Sequence, residues 1–207
     1  MKTAKKRVYI VDDHPMIREG IANVVNQEPD LVLCGAADSA AEALTGIAKA
    51  KPNVVIVDLS LGGRSGLELI KSLRAHYPKL PVVVYTMHEE ALYAHRALAD
   101  GAAAYVTKHQ PTAQLLSALR RVANGDKAPP PALCTTALPL GKLSDRELEV
   151  FELRGQGLTG DHIAARLNLS RKTVDTHLEH IKHKLDLADS AGVLKSAVEW
   201  MRHRPAL

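Results

Sequence analysis

Three acids, a hydroxyl and a lysine stand where successive short apolar runs of this 207-residue chain end. Asp12 and Asp13 follow Val8–Val11, and Asp58 follows Val54–Val57. Thr86 follows Val82–Tyr85, and Thr107-Lys108 follows Ala103–Val106. If folding gathers the three carboxylates, they repel one another, and a divalent cation relieves the repulsion. Oxygen donors with room for water suit Mg²⁺. A cation and an ammonium together offset charge on phosphoryl oxygens, so the set suits phosphoryl transfer to a carboxylate. Each residue alone says little: an Asp after a strand commonly caps a helix or turns the chain. The specificity lies in acids, hydroxyl and lysine recurring in order at four run ends.

The elements that must hold these residues are legible in the hydrophobic pattern. The four runs and a fifth, Leu31–Ala36, are β-branched or small and lack polar alternation, as in strands buried on both faces. Between them lie helical patterns. Ile17, Ile21, Val24 and Val25 repeat at helical spacing. Ser39-Ala-Ala-Glu42 is a capping box before Ala43, Leu44 and Ile47. Gly66 precedes Leu67, Leu69, Ile70 and Leu73, and Thr112 is placed to cap a helix with Leu115, Leu116, Leu119 and Val122. Five strands alternating with five helices predict an α/β domain over residues 1–123, with a doubly wound parallel sheet. Sites in such sheets form at the carboxyl ends of strands, where the acids fall. Adjacent first and third strands would bring Asp12, Asp13 and Asp58 together.

Residues 124–142 contain Pro129-Pro130-Pro131 and read as a stiff, extended linker. From 143 to 207 the pattern is all-α, with four helices. Ser144-Asp-Arg-Glu147 is a second capping box, Gly155 and Gly157 end its helix, and Thr159, Ser170 and Ser190 begin three more. A helix, a short turn and a helix capped by Ser170 make a helix-turn-helix. Val174, Leu178, Ile181 and Leu185 form its inner face, and Arg171, Lys172, Asp175, Thr176, Glu179, Lys182 and His183 its outer face. Taken alone, that outer face suits the solvated side of a small bundle better than a major groove.

Composition narrows the class. The net charge is +4, but residues 142–207 hold eleven Lys or Arg against ten Asp or Glu, a weak electrostatic pull on nucleic acid. No apolar run approaches the ~20 residues that span a bilayer. The basic start Met1–Arg7 is followed by an apolar run that Asp12-Asp13 cuts short of a secretory core, so the cytoplasm is expected, with no membrane partner. Cys34 and Cys134 match no metal or redox spacing and read as reduced thiols.

Val11-Asp12-Asp13-His14-Pro15, Val57-Asp58-Leu59-Ser60, Val84-Tyr85-Thr86 and Ala104-Tyr105-Val106-Thr107-Lys108 resemble the receiver domain of response regulators over residues 7–123. The resemblance implies a flavodoxin-like five-stranded sheet and a role for each residue. Asp58 would accept phosphate from a sensor histidine kinase. Asp12, Asp13, Asp58 and the Ser60 carbonyl would hold Mg²⁺. Lys108 would pair with the phosphoryl group, Thr86 would move toward it, and Tyr105 would change rotamer. Two positions depart from the pattern: the loop after Asp58 lacks a proline many members carry, and Ala104 replaces a common glycine.

Leu143–Val150, Gly157-Leu-Thr159, Ile163–Leu167, Leu169–Val174, His177, Ile181 and Lys184-Leu185 are similar to the LuxR-type helix-turn-helix over residues 142–204. The whole chain thus resembles the NarL/FixJ class of transcription regulators. By that resemblance Arg171, Lys172, Thr173 and Lys184 contact phosphates of double-stranded DNA, and Asp175, Thr176 and Glu179 fall at base-reading positions, with His177 and Lys182 in the same DNA-binding set. Acids there accept from cytosine N4 but repel phosphates, which implies modest non-specific affinity. The last helix, through Val193, Leu194, Ala197, Val198 and Met201, would pair two copies into a homodimer upon phosphorylation.

Three rivals fare worse. A hydrolase using Asp58 as nucleophile needs an acid soon after it, and Leu59-Ser60-Leu61 offers none. A nucleotide-binding enzyme needs a glycine-rich phosphate loop after a strand, which is missing from the sequence. A constitutive DNA binder would have no use for the complete acidic set. No enzymatic activity is expected.

Overall fold

Short β-branched runs become strands and the capped amphipathic stretches become helices. The computed structural model describes residues 4–61, 64–88, 91–126 and 139–203. In chain order the first unit holds β1 (Lys6–Val11), α1 (Pro15–Gln27), β2 (Leu31–Ala37), α2 (Ala40–Ala50) and β3 (Val54–Val57). β4 (Ser60–Leu61), β5 (Arg64–Ser65), α3 (Gly66–His76), β6 (Val82–Thr86), α4 (Ala91–Ala99), β7 (Ala104–Thr107) and α5 (Thr112–Ala123) follow. Five parallel strands run in the order β2-β1-β3-β6-β7, the flavodoxin-like sheet. β4 and β5 form a separate antiparallel pair.

That order makes the gap between β1 and β3 the point where the winding reverses. Val11 pairs with Val57, and the Asp58 amide donates to the Val11 carbonyl at 2.9 Å. The acids that end the two strands therefore emerge side by side. Alternate strand residues go to opposite faces. Val8, Ile10, Val54, Ile56 and Val83 pack with Ile21 and Val25 of α1 and with Leu115, Leu119 and Val122 of α5. The helices α2 to α4 bury Ala43, Ile47, Leu69, Ile70, Leu73, Tyr93 and Ala97. Burying both faces explains why the strands carry no polar alternation.

One local feature differs from expectation and two add to it. Thr112 is the first residue of α5 and Pro111 occupies the cap position, so the proline's fixed φ rather than a threonine side chain starts this helix. The loop after Asp58 forms the β4–β5 pair instead of a bare turn. At its end Gly66 lies so close that a Cβ there would sit 2.1 Å from the Asp58 carbonyl oxygen. Glycine is thus required by close approach, and it draws α3 against the strand end that carries Asp58.

The chain divides between residues 133 and 134 into two units. Of the expected linker, 127–138 lies outside the described residues, as does Cys134. Cys34 is a half-buried free thiol. Pro139–Lys142 is a short 3-10 turn of the second unit, and its Leu140 is buried. This unit continues with α6 (Asp145–Gly155), α7 (Gly160–Leu167), α8 (Arg171–Lys184) and α9 (Ser190–His203). The hydroxyls of Ser144, Thr159 and Ser170 each accept an amide at the start of α6, α7 and α8. Leu148, Phe151, Ile163, Val174, Ile181, Val193 and Ala197 make its core. Gly155 brings α6 onto α9: a Cβ there would meet the Ala197 carbonyl oxygen at 2.8 Å and the Met201 Sδ at 2.7 Å.

Gly66→Ala must push α3 off the Asp58 strand end, an overpacking cost of about 1–3 kcal/mol. Chemical denaturation of the full chain should show the first unit's transition lowered by that amount; an unchanged midpoint would contradict the close-approach argument.

Candidate acidic pocket and nucleic-acid interface

The strand register delivers the pocket. Asp12 and Asp58 are buried, and the Lys108 ammonium lies between them, 2.7 Å from Asp12 Oδ2 and 2.5 Å from Asp58 Oδ2. Lys108 reaches them because its amide donates to the Thr86 carbonyl at 2.7 Å, extending the β6–β7 ladder by one rung. Its side chain is only 4% exposed. Burial by itself would lower the Lys108 pKa, but the Asp58 and Asp12 carboxylates outweigh it and hold the pKa above the usual lysine value. Asp13 is more open to solvent, with a side chain 31% exposed.

The structure therefore brings Asp12, Asp13, Asp58 and Lys108 to one place. Thr86 is fully buried beside them, and its hydroxyl accepts the His88 amide at 3.4 Å. The Ser60 amide donates to Asp58 Oδ1 at 3.3 Å. Tyr105 is half-buried, and its hydroxyl donates to the His88 carbonyl at 2.8 Å.

Sequence reasoning missed three participants. His14, directly after the acid pair, places Nδ1 2.8 Å from Asp13 Oδ1 and 3.2 Å from Asp12 Oδ1. Arg18 Nη1 donates to the Asp12 carbonyl at 2.6 Å. His88 meets the Ser60 hydroxyl at 3.0 Å through Nε2 and lies against Tyr93, ring centroids 4.2 Å apart. His14 was visible as a ligand-type side chain at a strand end that already held two acids. His88 had no such signal, because its bond to Ser60 joins residues 28 apart through the sheet. Single donor atoms of Asp12, Asp13, His14 and Asp58 all lie within 4.8 Å of one another. Three carboxylates against one ammonium leave an excess of two negative charges, and the donor set fits a hard divalent cation.

In the second unit α8 follows α7 across a turn where Asn168 adopts a left-handed conformation, φ 51°. Lys172, Asp175, Thr176 and Glu179 are exposed along α8. Arg171 is exposed too, but Nε binds Asp175 at 3.0 Å and Nη1 binds Asp161 at 3.1 Å. Lys182 pairs with Glu179. Thr176 bonds back to the Lys172 carbonyl at 3.0 Å, and Thr173 Oγ1 lies 2.7 Å from the Ser170 hydroxyl. Lys184 turns to Glu147, 2.6 Å away.

Two expectations need correction here. His177 is half-buried, and its Nδ1 is enclosed without a partner among the described residues. Burial lowers its pKa, and the ring lies partly among the unit's packed side chains rather than fully on the outer surface. The reason is spacing: positions 174, 177 and 181 share one stripe of a helix. Val193 and Ala197, expected at a dimer contact, are 1% and 0% exposed because they close the unit's own core against α6. Of the five, Leu194, Val198 and Met201 remain half-exposed, with Met201 Sδ turned toward Gly155.

Glu147 ties this unit together. It completes the Ser144 capping box by accepting the Ser144 amide at 2.7 Å, and it receives Lys184. Burial would raise its pKa, but Lys184 and the Ser144 amide and hydroxyl prevail and hold it below the usual carboxylate value.

Comparison with known proteins follows the two units. Residues 8–120 match the response regulator receiver domain family, and residues 141–197 match the family described as bacterial regulatory proteins, luxR family. The oxygen regulatory protein NreC of Staphylococcus carnosus is 30% identical over 210 residues, covering 93% of this chain and 97% of that protein. A structure of the RcsB response regulator of Salmonella typhimurium superposes with a TM-score of 0.69 at 25% identity, covering 95% of this chain and 98% of that one. RcsB from Salmonella enterica serovar Typhimurium, bound to promoter P1flhDC in the presence of the phosphomimetic BeF3⁻, gives a TM-score of 0.64 at 25% identity, with 94% and 99% covered.

A depressed carboxylate pKa in the fold stabilises above the unfolded group's value and is lost as pH falls through the folded value. Denaturant unfolding of the second unit should therefore weaken on the acid side of the ordinary glutamate range, and Glu147→Gln should flatten that dependence. An identical pH profile in the variant would show that Glu147 does not supply it.

Proposed function

We propose a mechanism for a chain that belongs to the response regulators joining a receiver domain to a LuxR-type DNA-binding domain. As a member of that family it is a DNA-binding transcription regulator and not an enzyme. The observation that carries the reading is the Lys108 ammonium shared by the buried Asp12 and Asp58 at the sheet's switch point.

Asp58 is the phosphoacceptor, and a sensor histidine kinase is the donor. A carboxylate oxygen of Asp58 attacks the phosphorus of a phosphohistidine, the P–N bond breaks with its electrons going to the imidazole, and an acyl phosphate forms. Asp12, Asp13, Asp58 and the Ser60 carbonyl would hold Mg²⁺, which would supply positive charge to offset that on the phosphoryl oxygens. Lys108 supplies the second neutralising charge, and burial strengthens it.

The phosphoryl group also offers the Thr86 hydroxyl a strong acceptor. In the structure that hydroxyl accepts the His88 amide, and the His88 carbonyl in turn accepts the Tyr105 hydroxyl. Turning Thr86 toward the phosphoryl group breaks the first of these bonds and frees the segment that Tyr105 holds. The surface beside β6 and β7 then changes, which shifts the population toward a homodimer that binds DNA. Leu194, Val198 and Met201 are the α9 residues left to pair two copies. On α8, Lys172 reaches phosphates most directly, with Arg171, Thr173, Lys182 and Lys184 available where their present bonds yield, while Asp175, Thr176 and Glu179 face base edges.

Incubation with acetyl phosphate and Mg²⁺ should add one phosphoryl group by intact mass, and Asp58→Asn should abolish it. The phosphorylated chain should shift toward dimer in sedimentation and bind a duplex selected with it from a random-sequence pool more tightly than the unmodified chain does. An adduct that survives Asp58→Asn, or equal duplex binding by both forms, refutes the switch.

A further inference from the structure

We propose that His14 is a metal ligand of the acidic pocket, giving it an imidazole donor and hence an affinity for first-row transition dications such as Mn²⁺. This rests on the reading of that pocket as a divalent-cation site and extends it by naming the class of ion.

Three observations converge. The first is spacing. Donors at neighbouring corners of an octahedral ion with bonds of ~2.1 Å stand about 3.0 Å apart. His14 Nδ1 lies 2.8 Å from Asp13 Oδ1 and 3.2 Å from Asp12 Oδ1, on either side of that value. The Asp58 donor falls in the same group, all of it within 4.8 Å. Nδ1 thus faces both carboxylates, at separations that one shared dication would bridge.

The second observation is what His14 does not do. It occupies the N-cap of α1, where a side chain ordinarily accepts a helix amide, yet it makes no such bond. Pro15 begins the helix and removes one amide that would need a cap. The ring is thereby released to turn toward the acids. Its backbone is fixed in the same direction, since the His14 amide donates to Asp12 Oδ1 at 2.8 Å.

The third is donor chemistry. Mg²⁺ takes oxygen donors and holds its waters, whereas an imidazole raises affinity for transition dications. Asp58 and Asp12 are sealed in, but the His14 side chain is 62% exposed, so it lies on the open side from which an ion enters. Adding an imidazole to the carboxylates shifts the balance between the two ions further toward the transition metal.

The test uses the full chain, stripped of metal and loaded with Mn²⁺ or Mg²⁺. Pulsed electron paramagnetic resonance of the Mn²⁺ form should show coupling to an imidazole nitrogen, and His14→Gln should remove it. The same variant should weaken Mn²⁺ binding at least about tenfold, the least that losing even an outer partner of a metal ligand costs, while Mg²⁺ binding changes much less. Asp13→Asn serves as the control, because it must weaken both ions if they occupy the pocket. Coupling that persists in His14→Gln assigns the nitrogen to another histidine and overturns the proposal. Binding that Asp13→Asn weakens, without nitrogen coupling in the parent chain, overturns it while leaving the cation site standing. Binding of neither ion, or binding indifferent to Asp13→Asn, removes the cation site itself and the proposal with it.

Discussion

Two buried carboxylates that share one ammonium are the constraint around which the first unit is arranged. Taking charge out of water is costly unless it is paired, so carboxylates as buried as Asp12 and Asp58 call for a counter-charge beside them. Lys108 provides that charge, and the strand order β2-β1-β3-β6-β7 puts the end of β7 within reach of the ends of β1 and β3. The strands are apolar because they are covered on both faces, and the polar groups are confined to their ends. The pocket is thus the one place where this sheet can concentrate charge. Its remaining negative excess makes it receptive to cations, and its confinement makes each charge felt strongly.

The second unit solves a different problem with similar means. Four short helices bury little surface, and each leaves unsatisfied amides at its start. Ser144, Thr159 and Ser170 satisfy part of that need, and Glu147 closes both a capping box and a bond to Lys184 near the end of α8. One buried glutamate therefore couples the beginning of α6 to the end of α8, the second helix of the helix-turn-helix. Phe151 and Trp200, with ring centroids 6.0 Å apart, fill the contact between α6 and α9.

Much of this was readable before any coordinates. Strand identity, sheet class and the meeting of Asp12, Asp13, Asp58, Thr86 and Lys108 follow from β-branched runs and what stands at their ends. What escaped depends on contacts between distant positions or on weak local contrast. The helix α4 is short and alanine-rich, Ala-Leu-Tyr-Ala-His-Arg-Ala-Leu-Ala, so no residue in it singled itself out, although Tyr93 is among the largest buried side chains. The need for Gly66 comes from the Asp58 carbonyl, which no spacing rule exposes. His177 entered the DNA-binding set through the family motif, and its half-burial follows from sharing a helical stripe with Val174 and Ile181; Val193 and Ala197 are buried because a small unit uses α9 for its own closure. His14 was in plain view but was weighed only as part of a motif.

The ion pairs along α8 carry a consequence for how a target is found. Arg171 is held by Asp161 and Asp175, and Lys182 by Glu179, so little positive charge is left over for arbitrary phosphates. Counter-ion release is the force that keeps most regulators sliding on the chromosome. With those charges already paired within the unit, the surface of α8 has less counter-ion release to draw on, so salt should weaken its hold on arbitrary duplex less steeply than a fully basic helix would show.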